Sequence, residues 1–118
     1  MLDDKQLGLL CDIWDSAKAI VQYTNGVTRE AFMANSEKQD AVLRRFEIIG
    51  EALNRIDRLD PPTAARIAEL RRIVDFRNRI IHGYDTVDDA TVWGIIEGHL
   101  PTLLEQTEAL LSEGNDEG

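Results

Sequence analysis

The sequence contains few of the residues that cross-link small extracellular domains. Its 118 residues include one cysteine, Cys11, which excludes an intrachain disulfide. No histidine lies near Cys11 in sequence, so we expect a small buried residue on the first helix and not a metal ligand. No apolar run approaches the roughly 20 residues that span a bilayer. The first ten residues, MLDDKQLGLL, are acidic where a signal peptide would be basic, which predicts a cytoplasmic protein with no membrane partner.

Positive charge is also scarce. The net charge is −9, which discourages nucleic-acid binding because affinity for phosphate is largely electrostatic. The arginines are unevenly distributed, however: residues 44–79 contain nine arginines and six acidic residues, and the acidic excess lies towards the two ends. This asymmetry is typical either of a solvated face with an acidic tail or of a region that can bind phosphate, and composition leaves both open.

Apolar residues recur at spacings of three and four, which indicates helices along the whole chain. The pattern predicts a first helix over about residues 4–24 that ends at Asn25-Gly26, a pair suited to a left-handed turn. Its expected inward stripe is Leu7, Leu10, Trp14, Ala17 and Val21. A second helix opens at a capping box that starts at Ser36, and its expected stripe is Val42, Phe46, Ile49, Leu53 and Ile56.

Two prolines, at positions 61 and 62, interrupt this pattern. Thr63 can cap a third helix over about residues 64–82, with Ile81 among its inward residues and Gly83 at its end. A fourth helix follows, and Pro101 predicts a kink near His99. We therefore predict one all-α domain over residues 1–112, an up-and-down four-helix bundle of four to five helices, with a frayed acidic tail over residues 113–118.

The third helix ends in a run of polar residues, FRNRIIHGYDTVDD, at positions 76–89. His82 can accept and return a proton at neutral pH, and Arg77 presents a planar set of donors that suits phosphate oxygens. Together they fit RNA cleavage in which imidazole removes the ribose 2′-hydroxyl proton and guanidinium stabilises the charge that develops on phosphorus. The spacing alone equally fits a structural role, because a histidine at a helix C-terminus complements the helix dipole.

The five-residue spacing creates a geometric problem for catalysis. On an ideal helix Arg77 and His82 point about 140° apart, whereas Asn78 shares a face with His82 and can orient its imidazole. Either the helix unwinds at Gly83, or Arg77 of one subunit meets His82 of another across a two-fold axis. Gly50, inside the second helix, predicts a close approach of two helices or two subunits.

Longer motifs surround this pair. The chain reads RFEIIGEA at residues 45–52, RNRIIHGY at residues 77–84 and VDDATVW at residues 87–93. In combination, over roughly residues 42–104, these motifs resemble the HepT-like branch of the HEPN proteins, the ribonuclease toxins of HEPN/MNT toxin–antitoxin pairs. The resemblance implies an all-α HEPN-like fold, a homodimer with two R-x4-H motifs in one cleft, and RNA cleavage that needs no metal and no cofactor.

The resemblance also implies roles for single residues. It makes Arg77 and His82 the catalytic pair and Asn78 a supporting neighbour in a toxin of a type II/VII-like pair. It makes Tyr84 the residue to which an MNT-type nucleotidyltransferase antitoxin attaches AMP, which would block the cleft by volume and charge. The implied partners are an RNA substrate, the antitoxin and a second copy of the chain, and a larger hetero-oligomer with the antitoxin is left open.

A different class of function is compatible with the same residues. In this alternative the chain is a non-catalytic HEPN-like module that binds a nucleotide or scaffolds a nucleotidyltransferase. Arg77 then grips phosphate, His82 only caps its helix, and Tyr84 is a half-buried aromatic residue at the end of the bundle.

Overall fold

The structure is a computed structural model that describes residues 2–83 and 87–116. Over these ranges the chain is helical and contains no strand, which confirms the all-α prediction. None of the described helices is long and apolar enough to cross a membrane. In chain order the helices are α1 (Asp4–Thr24), α2 (Arg29–Met33), α3 (Ser36–Leu59), α4 (Pro61–Ala64), α5 (Leu70–His82), α6 (Asp89–Gly98) and α7 (Leu100–Asp116).

Helix α3 is the centre of the fold. It packs against α1 on one side and α5 on another, while α7 packs against α1 and α6 packs against α2 and α7. Its predicted stripe is confirmed, because all five of its residues are buried: Val42, Phe46, Ile49, Leu53 and Ile56. The rings of Phe46 and Phe76 meet edge to face with centroids 5.2 Å apart. This contact holds α5 against α3 at the residue that precedes Arg77. Helices α5 and α6, by contrast, make few contacts with each other.

For α1 the predicted inward stripe is confirmed at Leu10 and Ala17, but the buried face is rotated away from Val21. Its buried apolar residues are Leu10, Ile13, Ala17 and Ile20, whereas Val21 is 38% exposed. Cys11 is exposed, which corrects the expectation that it is buried. Helix α1 carries apolar residues on more than one face, so two neighbouring stripes fit the same periodicity. The contacts with α3 and α7 select between them, and those contacts are tertiary.

The helix boundaries follow local capping. Gly26 has φ of +72°, so the predicted left-handed turn after α1 is confirmed. The predicted capping box at Ser36 is wrong by one residue, because Asn35 caps α3 with an Oδ1 that accepts from the Lys38 N–H at 3.0 Å. The side chain of Gln39 donates to the Phe32 carbonyl at 2.8 Å and so ties α3 to α2.

The predicted third helix begins later than expected. Pro61 opens the short helix α4 with Asp60 as its cap, and the hydroxyl of Thr63 donates to Asp60 Oδ2 at 2.6 Å instead of capping a long helix. Helix α5 then starts at Leu70 and ends at His82, and its predicted inward residue Ile81 is 44% exposed, which corrects that expectation.

The predicted fourth helix is two helices. It breaks at His99, where a kink was expected, because Pro101 lacks the N–H that a continuous helix would use. Helix α7 continues to Asp116, and within it Glu113 accepts from Arg66 Nη1 at 2.8 Å. This pair fastens the segment after α4 to the end of the chain, although both side chains are about half exposed.

Candidate active site

Arg77 is held against α3 by a contact that glycine makes possible. A Cβ atom at Gly50 would lie 2.3 Å from the Cβ of Arg77 and 2.5 Å from its Cγ, which no ordinary packing allows. Gly50 is therefore the position where α3 admits the stem of Arg77, and the close approach expected of this glycine occurs between two helices of one subunit. The arginine side chain is only 22% exposed.

A carboxylate fixes the guanidinium at the end of that stem. Arg77 Nη2 donates to Glu51 Oε2 at 3.0 Å, and Glu51 Oε1 accepts from Arg55 Nε at 3.1 Å. Arg77 Nη1 donates to Asn78 Oδ1 at 3.1 Å. The Nε atom of Arg77 is buried without a hydrogen-bond partner among the described residues, an arrangement that costs about 1–3 kcal/mol. The fold thus keeps a guanidinium at this position despite an energetic penalty.

His82 is placed very differently. It is the last residue of α5, and its side chain is exposed and has no hydrogen bond or ion pair with any described residue. Gly83 follows it with φ of −143° and ψ of 48°, and its N–H donates to the Arg79 carbonyl at 2.8 Å. The helix therefore remains closed up to its last residue and does not unwind before His82.

Asn78 does not orient His82 in the way its spacing predicted. Its Oδ1 accepts from Arg77, and no hydrogen bond joins the side chain of Asn78 to that of His82. The expected Asn78–His82 bond is therefore corrected to an Arg77–Asn78 bond. Tyr84, the predicted site of modification, lies outside the described residues.

Within the described residues, His82 does not line the groove that Arg77 lines. Arg77 lines a groove of about 320 Å³ together with Glu51, Arg55 and the exposed Ile81, and His82 is not part of its lining. The two side chains thus follow the roughly 140° separation of an ideal helix. Glu51 was not predicted as a site residue; its one sequence signal is its place beside Gly50 in RFEIIGEA.

The helices that carry these residues lie within a match to a known protein family. The sequence profile described as Ribonuclease HepT-like matches residues 13–110, a span that includes both α3 and α5. The chain belongs to the HepT-like ribonuclease family. This membership confirms the predicted resemblance and supports an RNase function at the level of the family.

Several relatives of this HepT-like chain are similar over nearly their whole length. A protein of Thermococcus cleftensis named "Probable ribonuclease HepT" is 33% identical over 103 residues, which cover 84% of this chain and 89% of the relative. Two proteins of Methanocaldococcus jannaschii, provisionally named RNase MJ0127 and RNase MJ1216, are 28% and 30% identical over 110 residues. Each alignment covers 92% of this chain and 90% of the relative. No solved structure matches the chain at a significant level.

Proposed function

We propose that this HepT-like protein is the ribonuclease toxin of a toxin–antitoxin pair and cuts RNA with Arg77 and His82. The observation that carries the proposal is the packing of Arg77. Its stem packs over Gly50 and its guanidinium is held 3.0 Å from Glu51, so the direction of the guanidinium is fixed before substrate binds. Such preorganised positive charge is what a developing phosphorane transition state requires.

The proposed reaction is an internal transfer at phosphorus. His82, as a neutral imidazole, accepts the proton of a ribose 2′-hydroxyl, and the 2′-oxygen attacks the adjacent phosphorus. The bond from phosphorus to the 5′-oxygen of the next nucleotide breaks, and the imidazolium returns its proton to that oxygen. Arg77 stabilises the charge on the non-bridging oxygens. The products are a 2′,3′-cyclic phosphate and a free 5′-hydroxyl, and DNA is not a substrate because it lacks the 2′-hydroxyl.

A homodimer is part of this proposal, because one subunit leaves the two groups on different sides of α5. A two-fold axis beside the groove of Arg77 would bring His82 of one copy towards Arg77 of the other. The groove carries the exposed Ile81 and the half-buried Ile48 and Leu9 around Arg77. Apolar side chains at the rim of a charged groove suit contact with a second copy.

Cleavage of RNA in the presence of a chelator tests the proposal. We expect the wild type to cut single-stranded RNA under these conditions and to leave cyclic phosphate ends. His82→Ala and Arg77→Ala should each lower the rate by about 10²-fold or more while the protein stays folded. Arg58→Ala, at an exposed arginine of α3 away from this groove, is the matched control and should cut normally. Full activity of either variant would refute the assigned roles.

Silencing by an antitoxin is the second half of the proposal. An MNT-type nucleotidyltransferase would transfer AMP from ATP to the phenol oxygen of Tyr84 with release of pyrophosphate. The added phosphate and adenosine would occupy the cleft two residues beyond His82. We expect adenylyl-sized mass increments after co-expression with the cognate enzyme, and their loss in Tyr84→Phe. Increments that persist in Tyr84→Phe would place the modification elsewhere.

A second candidate function has one observation in its favour. His82 is exposed and has no described partner to orient it, which suits a helix cap in a non-catalytic module that serves a nucleotidyltransferase. In that case wild type, His82→Ala and Arg77→Ala would be tolerated equally on expression. Growth arrest by the wild type alone would support the nuclease.

A further inference from the structure

A large cleft lies on a different side of α5 from Arg77. It has a volume of about 750 Å³ and opens between α5 and α6. Arg71, Arg72 and Arg79 line it from α5, Gly94 lines it from α6, and His99 lines it where α6 ends. The cleft thus holds three arginines and two carboxylates, Glu69 and Asp75, in one concave surface of an acidic protein.

The ion pairs made by Arg71 and Arg72 in this cleft are exposed and weak. Arg71 lies 3.3 Å from Asp57 and Arg72 lies 3.6 Å from Glu69, and both arginine side chains are more than half exposed. Exposed ion pairs of this kind contribute little, about 0–1 kcal/mol, so a phosphate can compete for the guanidinium groups at small cost. Arg79 makes no ion pair within 4 Å of a described residue, although it interacts electrostatically with the Asp88 carboxylate.

A buried contact shapes the far end of the cleft. His99 Nδ1 lies 2.8 Å from Glu69 Oε2, and both atoms are buried without an aligned hydrogen bond within the described ranges. This contact brings the imidazole ring and the Glu69 carboxyl group together at one end of the cleft. His99 is 29% exposed, which leaves part of the ring facing solvent.

The cleft leads along α5 towards His82. Arg72, Asp75, Arg79 and His82 follow one another at spacings of three, four and three, so they share one side of the helix. Arg79 is one turn before His82, and Arg72 lies about 10 Å further back at 1.5 Å per residue. Arg77 points away from this row, towards Glu51 on α3.

We propose that the α5–α6 cleft binds the phosphates of the single RNA strand that continues from the bond at His82, with Arg79 and Arg72 as the main contacts. The inference rests on the proposed ribonuclease function, because it assigns to this cleft the part of the substrate that is not cut. It also gives the two sides of α5 separate tasks: one fixes the catalytic guanidinium, and the other guides the strand to the histidine.

Binding can be separated from cleavage in a protein that carries His82→Ala. The probe is a fluorescein-labelled single-stranded oligouridylate of about a dozen nucleotides, followed by anisotropy at several salt concentrations. Adding Arg72→Ala and Arg79→Ala should weaken binding about tenfold or more. The slope of log affinity against log salt should fall by about 1.4, because each lost phosphate contact on a single strand contributes about 0.7. Arg29→Ala, at an exposed arginine that lines neither groove, should change the affinity at most twofold, as expected for one remote charge.

A second variant fills the cleft without changing its charge. A Cβ atom at Gly94 would meet nothing within 4 Å, so Gly94→Leu should fold, and leucine favours a helix over glycine. Its side chain would occupy the cleft and should weaken RNA binding about as much as the double arginine change. Gly8→Leu on α1, where an added Cβ also meets nothing within 4 Å, is the matched control and should bind normally.

The outcomes distinguish this inference from the proposed function. If the cleft variants bind RNA as tightly as Arg29→Ala and Gly8→Leu while the wild type cleaves RNA, the strand takes another path and only this inference is overturned. If binding depends on the cleft but the wild type cleaves nothing, the nuclease proposal fails and the binding site stands. Absence of RNA binding in every variant would overturn the inference outright.

Discussion

Arg77 and His82 are five residues apart on α5, yet the protein treats them in opposite ways. Arg77 is 22% exposed, packs over Gly50 and donates to two side chains, Glu51 and Asn78. His82 is exposed at the last position of the helix and has no described partner. One half of the proposed catalytic pair is built into the fold of a single subunit, and the other half is not.

The difference indicates that activity at such a site can be controlled through the orientation of the histidine. A fixed guanidinium provides transition-state stabilisation that needs no rearrangement, whereas a free imidazole becomes useful only when something orients it. In our proposal a second copy of the chain and the bound strand supply that orientation. The surfaces agree with this division, since α5 packs closely on α3 beside Arg77 and stands apart from α6 on the side of His82.

The largest expected effect comes from a substitution that prevents Arg77 from packing over Gly50. In Gly50→Val the new Cβ would fall 2.3 Å from the Cβ of Arg77, so the arginine or the whole of α5 must move. We expect RNA cleavage to fall about 10²-fold or more and the free energy of unfolding to fall by about 1–3 kcal/mol. Cleavage assays and urea unfolding measure the two effects.

Gly8→Val is the control for this change, because it places the same residue in a helix where an added Cβ meets nothing within 4 Å. It should change stability only by the small gain in helix preference of valine over glycine and should leave cleavage intact. Wild-type cleavage by Gly50→Val would show that the seated position of Arg77 is not needed, and the contrast with His82 would lose its meaning.

A smaller effect is expected when Arg77 keeps its packing over Gly50 and the negative charge of its partner Glu51 is removed. Glu51→Gln preserves a carbonyl that can accept from Arg77 Nη2 but removes the negative charge, so the guanidinium is held less firmly. We expect kcat to fall about three- to tenfold with KM nearly unchanged, because Arg77 acts mainly in the transition state. Steady-state cleavage of a short RNA separates the two constants.

Glu37→Gln is the matched control for Glu51→Gln. Glu37 lies in the first turn of α3, is exposed, and lines neither the groove of Arg77 nor the α5–α6 cleft. Its loss should leave both constants unchanged. An equal fall in kcat for the two variants would mean that general charge on α3 matters, and not the specific hold on Arg77.

Local signals predicted the helices better than their starting points and faces. The stripe of α3 is confirmed because its residues recur at spacings of four and three and so share one face. The kink expected near His99 is a break between two helices at that residue, a local effect of Pro101. The face of α1 is only partly confirmed because its contacts with both α3 and α7 decide which residues are buried. The cap of α3 moved from Ser36 to Asn35, two residue types that cap almost equally well.

The candidate site shows the same division. Arg77 and His82 follow from a short motif, and their separation around α5 follows from helix geometry alone. The bond from Arg77 to Glu51 joins residues 26 apart in sequence, so no local pattern reveals it. The predicted Asn78–His82 bond failed because a charged guanidinium on the neighbouring residue is the stronger donor for the same amide oxygen.

The smallest expected effect concerns the side of His82. Asp88 caps α6, and the hydrogen bond from the Thr91 N–H, at 2.7 Å, holds the pKa of its carboxyl below the ordinary value. A lowered folded-state pKa means that the charged carboxylate adds stability above the unfolded-state pKa, and this stability is lost as pH falls through the folded-state pKa. Asparagine caps as well but does not titrate there.

Asp88→Asn should therefore unfold like the wild type near pH 7 and lose less stability than the wild type on acidification below about pH 4. Urea unfolding over a pH series measures this difference. RNA cleavage at pH 7 should not fall, because no described contact joins the Asp88 side chain to His82, and loss of the carboxylate would only leave Arg79 freer to bind phosphate. A loss of cleavage as large as that of Glu51→Gln would show that the start of α6 positions His82. The histidine would then be held within one subunit, as Arg77 is, and the contrast between the two residues would disappear.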